Sequence, residues 1–298
     1  MKIGLYLQDT NLDKKNIKVF DKAMSAVKRA GLDLFVFPEF CYTPFSEELD
    51  SVAIATEGGL EIIERYCIKL SESLGCAIVF CSKDKDDIIY SMYANAFVDG
   101  DETVSQLYIK HTMTGISAFS LNLYNVLINT MFEPILYKGK RLGMTICYDC
   151  NHAAFSRAYG KNNVDILINS TGGNVVYDKW HKYNKVRAIE NHCFNFCTMG
   201  YTGNYKRPNS YVYGYSPNGK AMSFINLLSK GTDRNEIGTI YVYDTDSDDG
   251  AFDIDLSLEQ VPTTNKFENF FFPCGKADDL ITKSRKIEDN LYVYPNWN

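Results

Sequence analysis

The chain has 298 residues, of which 45% are hydrophobic and 23% charged, with a formal net charge of −6. That balance is expected of a soluble globular protein with enough apolar material for a sizeable core. The acidic balance argues against a nucleic-acid footprint, which would need a basic face, and no run of about 18 apolar residues is present to span a bilayer.

The N-terminal KIGLYLQ predicts a strand. The chain turns polar after Leu7, too early for a secretory apolar core, so a cytosolic protein is expected. The nine cysteines are odd in number and scattered, which in such a chain predicts reduced thiols rather than a disulfide framework. Residues 12–30 predict an amphipathic helix, with Val19, Ala23, Ala26 and Val27 at helical spacing. LDLFVFPE predicts a strand stopped at Pro38, and residues 60–74 a helix. CAIVFCS, IIYSMYANAFV and ETVSQLYIK predict three strands, the last two joined by a two-residue turn at Asp99 and Gly100. Beyond an ambiguous stretch from 112 to 132, PILYK and RLGMTIC predict strands joined by a turn at Gly139. Residues 151–160 and 178–193 predict helices on either side of the strand VDILINS. FNFCTMG, SYVYGYS, GTIYVYD and AFDIDLS complete the strands, and the acidic run DTDSDDG is expected to be a solvated loop without EF-hand spacing. Strands alternating with helices first and mainly strands later predict a layered α/β sandwich, as a single domain over residues 1–298.

ICYDCNH, residues 146–152, allows four readings. A structural zinc needs four soft ligands, and the nearest second set, His192, Cys193 and Cys197, lies much farther along than in zinc ribbons. A c-type haem needs the histidine directly after the second cysteine, and Asn151 intervenes. A thioredoxin-like pair would follow a strand and open a helix, as this one does. The fourth reading makes Cys147 a nucleophile. It closes an apolar strand, where open α/β sheets place their chemistry, and Asn151 is an N-cap residue type for the helix that follows. The turn would aim backbone amides such as that of Tyr148 at the sulfur, lowering its pKa and forming an oxyanion hole. The plain alternative is a buried, inert cysteine.

Partners decide between them. Glu39 in VFPEF ends a buried strand, as a base in a cleft or as an exposed loop charge. Lys110 in LYIKH ends the strand after the Asp-Gly turn, where an exposed lysine is the plainer reading. Glu39, Lys110 and Cys147 would converge if their strands were parallel neighbours in one sheet.

Glu39 in FPEF, Lys110 in YIKH and Cys147 in GMTICYD resemble, in order and spacing, the Glu-Lys-Cys triad of the nitrilase, or carbon–nitrogen hydrolase, superfamily. VDILINSTGGN, the Arg-Ala-Ile-Glu-Asn run within WHKYNKVRAIENHCFNFCTMGYTGN, and YGYSPNGK resemble later segments of the same family. The resemblance implies a four-layer α-β-β-α sandwich of two mixed sheets with outer helices. It implies a small-molecule amide-type substrate, attacked by Cys147 with Glu39 as base and Lys110 and the Tyr148 amide on the oxyanion, through a thioester and without metal or organic cofactor. Tyr148, Tyr42, Asn169 and Ser170 are expected to contact substrate. A homodimer or larger assembly is expected, with residues 258–298 as a C-terminal extension used in oligomer contacts.

Two departures stand out. The family commonly carries a second glutamate between lysine and cysteine, but HTMTGISAFSLNLYNVLINTM has no acidic residue, and Glu133 lies too near the nucleophile to match. The usual Arg-Phe-Pro-Glu-like continuation after Cys-Tyr-Asp is replaced here by Cys150, Asn151, His152, Ala153 and Ala154. A Cys-His dyad through His111 or His152 would leave Glu39 and Lys110 without roles. His181 and His192 are expected on helix surfaces or in packing. A binding or scaffold protein, or an acyltransferase using the same thioester, are the alternatives to a hydrolase.

Overall fold

The computed structural model describes residues 1–9, 17–41, 60–83, 89–112, 132–172, 177–201, 212–228, 238–246, 286–287 and 291–292. Among the described residues, four α-helices and a large mixed sheet form the fold. The helices are α1 (Ile17–Ala30), α2 (Leu60–Leu74), α3 (Ala153–Lys161) and α4 (Tyr177–Asn191). The strands are β1 (Lys2–Asp9), β2 (Leu34–Val36), β3 (Ala77–Lys83), β4 (Ile89–Ala94), β5 (Ser105–Ile109), β6 (Ile135–Tyr137), β7 (Lys140–Ile146), β8 (Ile166–Thr171), β9 (Phe194–Tyr201), β10 (Tyr213–Tyr215), β11 (Ile225–Asn226) and β12 (Thr239–Asp244). A separate two-stranded hairpin pairs β13 (Lys286–Ile287) with β14 (Leu291–Tyr292).

The twelve strands form one sheet along the path β5-β4-β3-β2-β1-β9-β8-β7-β6, with β12 against β1, β11 against β12, and β10 against β9. Two separate sheets were expected. Instead the two arms are joined where the end of β1 pairs with the end of β9, Gln8 with Gly200 and Asp9 with Tyr201. The sheet curls about this join so that both arms face one core, in a nearly barrel-like form. Odd residues of β1 (Ile3, Leu5, Leu7) enter that core with Val36 and Val79 from one arm and Met144, Ile146 and Ile168 from the other. Tyr6, on the opposite face of β1, packs with Phe20, Met24 and Val27 of α1 and Ile63 and Leu70 of α2. This is the period-2 alternation of a strand covered on both sides by different layers. All of β8 is buried, as a parallel strand packed on both faces should be, which accounts for its unbroken run ILINST.

The segment expected to be a two-residue hairpin is a ten-residue connection, residues 95–104. An Asn95 side-chain oxygen accepts from the Phe97 amide at 2.9 Å, an Asx turn that diverts the strand before Asp-Gly is reached. At Gly139 the expected turn forms, with φ at 70°. AFDIDLS and residues 12–16 lie outside the described residues, as does residue 42. No described helix is long and apolar enough to cross a membrane.

Candidate active site

Glu39, Lys110 and Cys147 follow β2, β5 and β7. Chaining the parallel and antiparallel pairings along the sheet gives these three strands one direction, so their carboxyl ends lie at one end of the fold. They are not neighbours. β2 and β5 belong to one arm and β7 to the other, so the residues meet across the core.

Glu39 is 2% exposed. Its Oε1 accepts from Lys110 Nζ at 2.5 Å and its Oε2 from the Gly172 amide at 2.9 Å. Glu39 is buried and the Lys110 side chain only 9% exposed. A buried pair gains little net stability because desolvation offsets its attraction, so its presence points toward function. Burial works against the Lys110 ammonium, but the Glu39 carboxylate, with Cys147 and Asp149, outweighs it and raises the pKa above the usual value. Gly172 lies at the end of β8, and a Cβ there would sit 2.9 Å from Glu39 Oε2 and 3.3 Å from the Phe40 ring. Only glycine lets the β8 backbone approach the carboxylate this closely.

Cys147 is buried and lies within electrostatic range of Glu39, Lys110 and the Gly172 amide. Its φ is 45°, an unusual conformation for a residue with a Cβ. Such an outlier costs on the order of 1–3 kcal/mol and must be held by its surroundings. It opens a 3-10 helix, Cys147–Asn151, that the sequence did not disclose. α3 begins only at Ala153, with His152 rather than Asn151 at its N-cap. The expected lowering of the thiol pKa is reversed. Burial pushes it well above the usual thiol range and the Glu39 charge adds to that, while Lys110 and the Gly172 amide pull the other way. The resting group is therefore a thiol beside a carboxylate, which suits general-base activation rather than a preformed thiolate.

Asp149 had no role in the sequence reading. It is fully buried. Its carboxylate accepts from Tyr108 Oη at 2.9 Å, Thr112 Oγ1 at 2.6 Å, Thr112 N at 2.9 Å, His111 N at 3.3 Å and Ile146 N at 3.3 Å. Burial raises its pKa to about 6 although Thr112, Lys110, Tyr108 and Ile146 all pull it down. The signal available was its place: an acid at the third position of a turn reaches back to the preceding amide, as in a capping box. Arg187, within the Arg-Ala-Ile-Glu-Asn run, holds the far end of the turn. Its guanidinium donates to Cys150 O at 2.8 Å and Asn151 O at 3.3 Å and pairs with Glu190 at 2.7 Å.

Of the expected substrate contacts, Tyr148 is half-buried with its ring against His152 and Trp180. Asn169 and Ser170 are buried. Asn169 Nδ2 donates to Thr145 Oγ1 at 3.1 Å and to Cys147 O at 3.4 Å, and Ser170 Oγ to Phe37 O at 2.9 Å. Tyr42 lies outside the described residues. The His111 ring packs among Tyr108, Phe132 and Phe155, and burial lowers its pKa to about 3. It faces an aromatic cluster. Glu133 is exposed, just before β6. The eight described cysteines are free and buried, and no described cluster of three or more His, Cys, Asp or Glu is arranged to hold a metal.

Residues 7–249 match the model of the carbon-nitrogen hydrolase family. No curated protein is similar enough in sequence to count as a relative. Among solved structures, an amidase from Nesterenkonia sp. AN1, seen with acrylamide added at its active-site cysteine, matches with a TM-score of 0.59 at 17% identity, over 87% of this chain and 99% of that one. The same amidase with the acetamide moiety of fluoroacetamide on its cysteine matches with a TM-score of 0.58 at 18% identity, over 82% and 89%. A CN-hydrolase superfamily protein from Xanthomonas campestris with an arsenic adduct in its active site matches with a TM-score of 0.56 at 17% identity, over 83% and 91%.

Proposed function

Because the chain belongs to the carbon–nitrogen hydrolase family, we propose that it hydrolyses a non-peptide C–N bond, in an amide or carbamoyl amide before a nitrile, through a thioester on Cys147. The observation that carries this is the buried contact of Lys110 with Glu39 beside the Cys147 sulfur. Glu39 takes the thiol proton as the sulfur attacks the carbonyl carbon, then delivers it to the departing nitrogen. Lys110 and the Tyr148 amide face the oxygen that becomes an oxyanion. Tyr148 stands in the first turn of a 3-10 helix, where amides lack an intrahelical acceptor. Water activated by Glu39 then releases the acid.

The Tyr148 ring, in the residue after Cys147, packs with His152 and Trp180, and we assign substrate contact to Tyr148 and support of the Cys147 and Phe37 backbone to Asn169 and Ser170. The same reading takes the curled sheet with its outer helices as a four-layer sandwich, in a cytosolic homodimer or larger assembly to which residues 258–298 contribute contacts. Light scattering that gives a monomer mass at micromolar concentration would count against the assembly.

The test is intact-mass spectrometry of wild-type protein and of Glu39→Gln after exposure to a panel of small amides and nitriles. An acyl adduct mapped to Cys147 supports the reading and reports the acyl group. Its absence across the panel, with no acid or amine released, sinks it. Negligible acid release, with the acyl group recovered on an amine once that amine is supplied, would instead favour acyl transfer.

A further inference from the structure

The proposed chemistry assigns no task to Asp149, although burying a carboxylate without a cation in contact costs several kcal/mol unless hydrogen bonds repay it. Its donors come from two places far apart in sequence. Tyr108, His111 and Thr112 flank Lys110 on both sides, while Ile146 directly precedes Cys147. The carboxylate thus joins the lysine segment of one sheet arm to the nucleophile turn of the other. We propose that Asp149 is a positioning residue that holds Lys110 and Cys147 in one fixed relation by accepting hydrogen bonds from the Tyr108 hydroxyl and the His111 and Thr112 amides around Lys110 and from the Ile146 amide just before Cys147.

Three features support this, resting on the reading that Lys110 and Cys147 act together. Every group that meets the carboxylate is a donor, so an amide in its place would turn its own N–H₂ against an N–H or O–H whichever way it lay. Cys147 stands at a positive φ that its surroundings must enforce, and the Ile146 amide is tied back by this carboxylate. The stretch from His111 to Phe132 contains no acidic residue, and after Glu39 the carboxylate that most favours the Lys110 ammonium is Asp149.

The test does not require a known substrate. Cys147 labelling by iodoacetamide, followed by peptide mapping, is compared in wild type, Asp149→Asn and the double variant Tyr108→Phe/Thr112→Val, with circular dichroism to confirm the fold. Asp149→Asn should label Cys147 about 10²-fold more slowly, the order of loss that an ångström of misplacement causes, and the double variant should fall between. On an amide that turns over, the loss should lie in kcat with KM nearly unchanged. A cycle with Lys110→Met separates positioning from mere structural support: in that background Asp149→Asn should add less than about threefold, because residues that act through one another are not additive. Wild-type labelling rates in a folded Asp149→Asn protein, or the full loss repeated in the Lys110→Met background, overturn the proposal. Should Asp149→Asn fail to fold, the double variant decides by the same criterion. A wild type that forms no thioester counts against the proposed function alone, since the labelling comparison stands without turnover.

Discussion

Gly172 donates its amide to Glu39 Oε2 at 2.9 Å while Lys110 holds Oε1 at 2.5 Å, so both oxygens of the carboxylate are fixed by groups from different parts of the sheet. Gly172→Ala would place a Cβ 2.9 Å from that oxygen. Glu39 cannot yield without leaving Lys110, so activity should fall by about 10- to 10²-fold with the thermal midpoint little changed. Steady-state kinetics beside a melting curve checks this, and equal activity would show that the carboxylate has room to move.

Glu39→Gln keeps shape and removes the base, and should slow thioester formation by about 10² to 10⁴, the range of general base catalysis. Lys110→Met should cost on the order of 3 kcal/mol of oxyanion stabilisation. The groups form one contact, so the double variant should be barely worse than the poorer single. Rapid-mixing measurement of acylation gives all three rates, and strictly multiplicative losses would contradict a shared role.

The pH dependence follows from the raised thiol and ammonium. A group whose folded pKa is raised stays protonated until pH exceeds that value. In Glu39→Gln the carboxylate neither assists nor adds its charge, but burial, the largest cause, remains, so iodoacetamide labelling of Cys147 should still be rising with pH at the usual thiol range, without a plateau below it. A plateau near neutral pH would show a preformed thiolate instead. Turnover should keep no basic limb from Lys110 below lysine's usual range, because its ammonium is held above it.

Arg187→Met should lower stability by about 3 kcal/mol, since Cys150 O and Asn151 O lose a charged donor in a buried setting. Denaturant unfolding measures it. A loss under about 0.5 kcal/mol would mean that water replaces the guanidinium at the turn.

The pattern of apolar residues alone placed most elements near where they form. α2 occupies the residues expected of it, and the bounds of β7 and β8 fall within two residues of those expected, because amphipathic period and Pro or Gly stops are local properties. Glu39, Lys110 and Cys147 were legible for the same reason: each ends an apolar strand, and strand ends read from neighbours in sequence. How they meet was not. Their meeting depends on two arms of one sheet closing over a shared core through the β1–β9 join, which no stretch of sequence specifies by itself. The 3-10 helix at Cys147 and the burial that raises its thiol likewise depend on contacts between distant segments. So do Asp149 and Gly172, whose partners stand dozens of residues away: local chemistry decides which groups are present, and only packing decides which of them touch.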